Sequence, residues 1–232
     1  MELTGNIKTT IVCDDEKEHV YEIIRELDSE GEEIILLTLY PTLTTPNELD
    51  LSCMHLLNHA DDETLKINKI HFIFLFSKVA SANLSTKGLK VDNENLEYIR
   101  KLLEDNPKIK LVISYGASMD KAPAVIESKV KFFSIVNEVR PNEPLWQIDA
   151  EEMEGEANHI LYCGIRYGSY EWSLRHYNVP KRFTEAGYKE YLQMKEAARQ
   201  RFIENVLGKK NAKDVSSADG ETEKGKGKKR VS

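Results

Sequence analysis

The chain has 232 residues, 41% of them apolar and 31% charged, with a net charge of −7. That length suffices for one well-buried core, and no window approaches the roughly eighteen consecutive apolar residues of a membrane span. The opening residues, Met1-Glu2-Leu3-Thr4-Gly5-Asn6, lack the basic and apolar regions of a secretory signal, so a cytoplasmic address without membrane partners is expected. The three cysteines, Cys13, Cys53 and Cys163, are odd in number and far apart. They exclude a disulfide framework and fit a reducing compartment.

In chain order, Asn6 to Cys13 reads as a strand. Two readings stay open for His19 to Leu27. Val20, Ile23, Ile24 and Leu27 suit a helix face, whereas Asp14-Asp15-Glu16-Lys17 suits a hairpin turn into a second strand. Glu33 to Leu39 and His71 to Phe76 are nearly continuous apolar runs, as expected of strands covered on both faces. Between them Asp50 to Ala60 reads as a helix with Asp50 as N-cap, and Asn93 to Glu104 as another capped by Asp92 or Asn93. Lys110 to Ser114 is a further strand, and Asp120 to Ser128 a helix with Pro123 in its first turn. Val130 to Val136 is a strand candidate whose beginning is open between helix and strand, and His159 to Cys163 is an expected strand. Thr184 to Leu207 is the longest helical pattern, aligning Tyr188, Leu192, Phe202 and Val206 before Gly208 stops it. Strands alternating with helices predict one α/β domain over residues 1–207, with a central, mainly parallel sheet.

Residues 208–232 hold eight basic and four acidic residues, a net of +4, which leaves −11 on the body before them. This basic tail has almost nothing apolar to bury and is expected to be disordered. Its Gly220-Glu-Thr-Glu-Lys-Gly225-Lys226 fits the start of a phosphate-binding P-loop. Gly227 follows instead of Ser or Thr, and no strand or helix flanks the segment, so the match is accidental. The acidic body disfavours the broad phosphate-backbone contact of a DNA binder but leaves room for a local basic groove.

The stretch from Tyr21 to Thr42 resembles a bacterial and phage domain of unknown function, number sixteen-forty-three. That family runs from a hairpin into a buried strand ending in Leu-Asn-Pro-Ser/Thr-x-Ala, similar to Leu39-Tyr40-Pro41-Thr42-Leu43-Thr44 here. Further similarities follow in the same order over residues 7 to 180. They are the Asp-opened helix from Asp50, Ile73-Phe74-Leu75-Phe76, the turn Ser114-Tyr115-Gly116, and Gly168-Ser-Tyr-Glu-Trp172-Ser-Leu174. The resemblance implies a three-layer α/β sandwich of the uracil-DNA-glycosylase type. In that arrangement an Asn or Asp after the first core strand positions a water and a late His supports the leaving base. Tyr40 and Trp172 stand at those positions, and Phe74 where the family has a second Asn. None of these offers a carboxamide or imidazole, so a divergent member without that glycosylase chemistry is implied.

Open α/β sheets bind ligands outside the carboxyl ends of their strands. The loops expected there are 40–45, 77–82, 114–119 and 166–172. Their convergence would place Tyr40, Pro41, Thr42, Thr44, Ser77, Lys78, Tyr115, Gly116, Gly168 and Trp172 around one cleft, with Arg175 and His176 beside it. Rings, hydroxyls and cations suit a nucleotide or a nucleic-acid strand. The plainer alternative is that Pro41 and Gly116 shape turns and the aromatics cap the core. His55 and His59 share a helix face at i, i+4 but lack a third ligand, so neither a metal nor another cofactor is expected. Three readings stay open: a nucleotide- or nucleic-acid-binding protein; a hydrolase using Tyr40, Ser77 or Lys78 with Asp50, Asp120 or Glu171 as base; and a module that binds a protein partner.

Overall fold

The computed structural model describes residues 2, 4–80, 89–117 and 119–218. Two compact units are distinguished, Met1–Glu185 and Ala186–Ser232. In the first, β1 (Ile7–Cys13) and β2 (Val20–Leu27) form an antiparallel hairpin, which decides the open reading of 19–27 in favour of a strand. The helical spacing of Val20, Ile23, Ile24 and Leu27 loses because β2 is hydrogen-bonded on both edges, to β1 and to β4 (Ile67–Phe74). Strand β3 (Glu32–Thr38) lies between β4 and β5 (Lys110–Ile113), and β6 (Leu145–Ala150) and β7 (Trp172–His176) complete the sheet.

The order is β1-β2-β4-β3-β5-β6-β7. β4, β3, β5 and β6 run parallel, while the pairs β1–β2, β2–β4 and β6–β7 are antiparallel. The sheet is therefore mixed, not mainly parallel: hairpins extend a parallel centre on both sides. The centre matches the apolar runs. Ile34 and Leu36 of β3 pack with Cys53, Leu56 and Ile160 on one face, and Ile35 and Leu37, buried as well, alternate to the other.

Helix α1 (Leu51–Asn58) crosses from β3 to β4, and α2 (Asn93–Asp105) from β4 to β5. Both begin as expected, Asp50 accepting from the Cys53 amide and Asp92 from the Asn95 amide. Helix α3 (Pro123–Val139) absorbs the expected strand 130–136, and α4 (Ile160–Tyr167) replaces the expected strand 159–163. Short apolar runs do not separate buried strand from buried helix. Here His159 decides the second case, since its ring nitrogen Nδ1 accepts from the Leu161 amide as an N-cap. Helices α1 and α4 pack together on one face of the sheet, α2 and α3 on the other.

A 3-10 turn (Lys181–Phe183) leads to α5 (Glu185–Ala218), most of which belongs to the second unit. This helix continues past Gly208, so residues 208–218 of the expected disordered tail are helical; residues 219–232 lie outside the described residues. Among the described residues no helix is long and apolar enough to cross a membrane.

Candidate functional site

After β3 the chain turns one way to β4, and after β5 the other way to β6, so the strand order reverses between the carboxyl ends of β3 and β5. A mostly apolar cavity of about 670 Å³ opens there, within the range of small-molecule sites. Leu39, Tyr40 and Thr42 enter it from the end of β3, Tyr115 from the end of β5, and Ile23, Phe72 and Phe74 form its floor. The first turns of two helices complete it: Asp50, Ser52 and Cys53 from α1, and His159, Leu161 and Tyr162 from α4.

Hydrogen bonds hold Asp50 and His159 in place at the wall. Asp50 accepts from the Cys53 amide at 2.7 Å and from the Thr42 hydroxyl at 2.5 Å, which orients its carboxylate at the wall. Because His159 Nδ1 accepts from Leu161 at 3.2 Å, the proton of its neutral ring sits on Nε2. Burial lowers the His159 pKa, and the nearby Asp50 charge only partly opposes this. Burial pushes the Cys53 thiol up to about 11 although Arg25 beside it works the other way, so Cys53 is a neutral wall group. Arg25, itself buried, clamps the lip by donating to the carbonyl oxygens of Pro46 at 3.0 Å and Glu48 at 2.5 Å.

Gly116 sits at φ +66, and a Cβ there would come within 3.1 Å of the His159 Cβ. Glycine is thus required at the β5 turn both for its backbone and for the approach of α4. Behind it, Lys129 is buried with its ammonium 3.6 Å from the Tyr115 ring centroid and paired with Asp120. The Tyr115 hydroxyl meets that of Tyr177 at 2.7 Å and its ring packs edge-on against Phe133 and Phe183, so Tyr115 borders the cavity with its ring engaged on the α3 side.

Of the expected site residues, Tyr40, Thr42 and Tyr115 line this cavity and Gly116 shapes it. Pro41 is buried in the lip, its carbonyl accepting from Ala80, and Thr44 lies in the same lip outside the wall. The other loops do not converge here. Ser77 is fully buried and structural, donating to Asp92 at 2.6 Å and meeting His19 Nδ1 at 2.7 Å, which ties β4 to the cap of α2. Lys78 is exposed beside it, pairing through its backbone with His19. Ser81 and Ala82 of that loop lie outside the described residues, as does Ser118 of the third. Trp172 is in the core. It opens β7, stacks on His59 at 4.0 Å and donates to the Tyr167 carbonyl at 3.0 Å. Gly168 ends α4, Arg175 pairs with Asp149 at 3.3 Å, and His176 stacks on Trp146 at 4.4 Å, all away from the cavity.

His159 and Ser52 were missed by sequence reasoning, and Asp50 was read chiefly as a cap. The signal that could have found His159 is its position just before an eight-residue amphipathic run, where a side-chain acceptor caps a helix. His55 and His59 are also spent structurally: His55 packs on Gly164, and His59 meets Asp62 at 2.8 Å. Among the described residues no group of three His, Cys, Asp or Glu side chains is placed to hold a metal ion.

The model of one family, described as Protein of unknown function (DUF1643), matches residues 21–153, more than half of the chain. The chain belongs to the DUF1643 family. No curated protein and no solved structure matches it. In this DUF1643 protein the matched segment carries Tyr40, Asp50, Phe74 and Tyr115, while His159 and the rest of α4 lie beyond it.

Proposed function

We propose that this DUF1643 protein binds a nucleotide or a component of nucleic acid, that the base is the part seated in the cavity, and that it does so without the Asn- and His-dependent chemistry of a glycosylase. The observation that carries this reading is the cavity at the reversal of strand order, lined by Tyr40, Phe72, Phe74 and Tyr115 with Asp50, Ser52 and His159 among its polar groups. Aromatic and aliphatic walls with a few fixed donors and acceptors suit a flat heterocycle. The parallel centre and the two helical layers support the glycosylase-like part of the reading. Among the described residues no Lys or Arg lines the cavity, so a free base or nucleoside is favoured over its phosphorylated forms.

The test is a panel of bases, nucleosides, nucleotides and short single-stranded oligonucleotides, read by thermal shift and calorimetry on the full chain. A base or nucleoside is expected to raise the melting temperature, to bind more tightly than its monophosphate, and to lose affinity in Tyr40→Ala. A panel in which nothing binds, or in which affinity rises with phosphate count, refutes the reading. A second reading, hydrolysis at a base or nucleotide, is favoured by one observation. Asp50 shares the cavity with Tyr40 and with a neutral His159, so groups able to move a proton near neutral pH are in place. Asp120 and Glu171 are instead engaged elsewhere, with Lys129 and with Thr64. Product release from the tightest-binding nucleoside, lost in His159→Gln, is the expected signature.

A further inference from the structure

The exposed large apolar side chains of the Met1–Glu185 unit are not scattered. Among its described residues, Leu49 (42% exposed), Leu51 (60%), Met54 (44%), Tyr162 (43%) and Ile165 (73%) gather where α1 and α4 meet, and Ile7 alone lies elsewhere. Leu51 and Met54, like Tyr162 and Ile165, are three apart on their helices and share a face, and Leu51, Tyr162 and Ile165 also line the cavity. A small molecule within the cavity leaves Leu49 and Met54 outside. Concentrated exposed apolar surface of this kind marks an interaction site.

The charge beside the patch narrows the partner. One residue past Ile165, Arg166 lines a second, polar cleft of about 830 Å³ together with Asp149, Glu152, Glu154, Tyr170 and Arg175. Arg175 is taken by Asp149, while Glu152 and Glu154 have no ion pair among the described residues, so two carboxylates face one guanidinium. Glu48 and Asp50 add acidity at the lip. A nucleic-acid backbone would meet this excess of like charge, and so would a second copy of the chain bringing the same patch.

We propose that the cavity mouth is the docking face for a polypeptide segment that lays a bulky apolar side chain across Leu51, Met54 and Ile165 and sends a neighbouring Lys or Arg to Glu152 and Glu154. Amphipathic segments bind grooves through such spaced apolar anchors, and charge complementarity sets their orientation.

The experiment titrates the isotopically labelled full chain with an amphipathic Leu/Lys peptide and with its Leu/Glu counterpart, and repeats this with Ile165→Glu and with Glu152→Lys/Glu154→Lys. The Leu/Lys peptide is expected to shift the resonances of α1 and α4. Ile165→Glu should weaken it by at least about tenfold, even though the variant is more acidic; mere attraction to an acidic protein would strengthen instead. The double Lys variant should lose the Leu/Lys peptide and gain the Leu/Glu one. Ile165 is too exposed for its replacement to unfold the chain. The proposal is overturned if the Leu/Lys peptide leaves the spectrum unchanged or binds Ile165→Glu equally well. It is also overturned if sedimentation finds a dimer that Ile165→Glu dissolves, or if a thymidine oligonucleotide or phosphatidylcholine vesicles shift the same resonances more tightly.

Discussion

Glu22→Gln probes a charged cluster inside the sheet, on the face opposite the cavity. His71 places Nδ1 2.5 Å from Glu22 and Nε2 2.6 Å from Glu33, and Tyr98 donates to the other Glu22 oxygen at 2.5 Å. Both ring nitrogens face carboxylates, so the ring must donate twice and is an imidazolium. Removing one partner of a buried ion pair costs about 3–5 kcal/mol. The amide can still accept one hydrogen bond, which puts the expected loss near the lower end, about 3 kcal/mol. The pH dependence carries a sign. Burial works against the His71 charge, but the bonds to Glu22 and Glu33 outweigh it and raise its pKa. Stability from this proton is complete below the unfolded value of about 6.5 and is lost as pH rises through the folded value. Lys129, pushed down to about 8 by burial against the pull of Asp120, contributes with the opposite sign in the same region. Subtracting the variant's curve from that of the parent cancels it. Urea unfolding over roughly pH 6 to 9 should give a difference that shrinks as pH rises. A constant difference across that range would refute the assignment of a buried imidazolium.

Gly164→Ala should cost about 3 kcal/mol or more by overpacking, because its Cβ would lie 2.0 Å from His55 Cγ; the same urea assay reads it, with lower affinity for any cavity ligand. Trp172→Phe should cost about 1–3 kcal/mol through the reduced stack on His59 and the lost indole hydrogen bond to the Tyr167 carbonyl, which keeps the Tyr170 amide, yet leave the affinity of a bound base unchanged; a matching drop in affinity would return Trp172 to the site. At Asp50, Ala should remove the cap and about 1 kcal/mol of stability, whereas Asn should keep most of it. Calorimetry then isolates the carboxylate's part in binding, which fails if Asn binds as tightly as Asp.

What was legible in the sequence was whatever a local pattern determines alone. The buried strand at Ile34 to Leu37 is apolar on both faces, and Asp50 and Asp92 are acceptors three residues before the amides they bind. The site was legible where strand ends carry it, at Tyr40 and Tyr115. It was not legible where its walls are set by tertiary packing. Ile160 to Tyr167 is as apolar as a strand, and its His159 cap together with its seat against α1 through Gly164 makes it a helix whose cap faces the cavity. Strand β7 was missed because Trp172 to His176 is short and half-exposed and takes its conformation from its pairing with β6. That pairing turned the indole into the core and emptied the expected position at the cavity.

Helix α4 follows the last parallel strand yet returns to the layer of α1, so the two polar walls of the cavity are built by segments more than a hundred residues apart. One wall belongs to the segment that the family model matches, and the other to a helix beyond it that makes no ladder hydrogen bond to the sheet. Exchanging Leu161, Tyr162 and Ile165 while keeping Ile160, Cys163, Gly164 and Tyr167 would recast the cavity wall while leaving the core packing intact. The architecture thus lets one wall of the cavity change apart from the sheet that supports it.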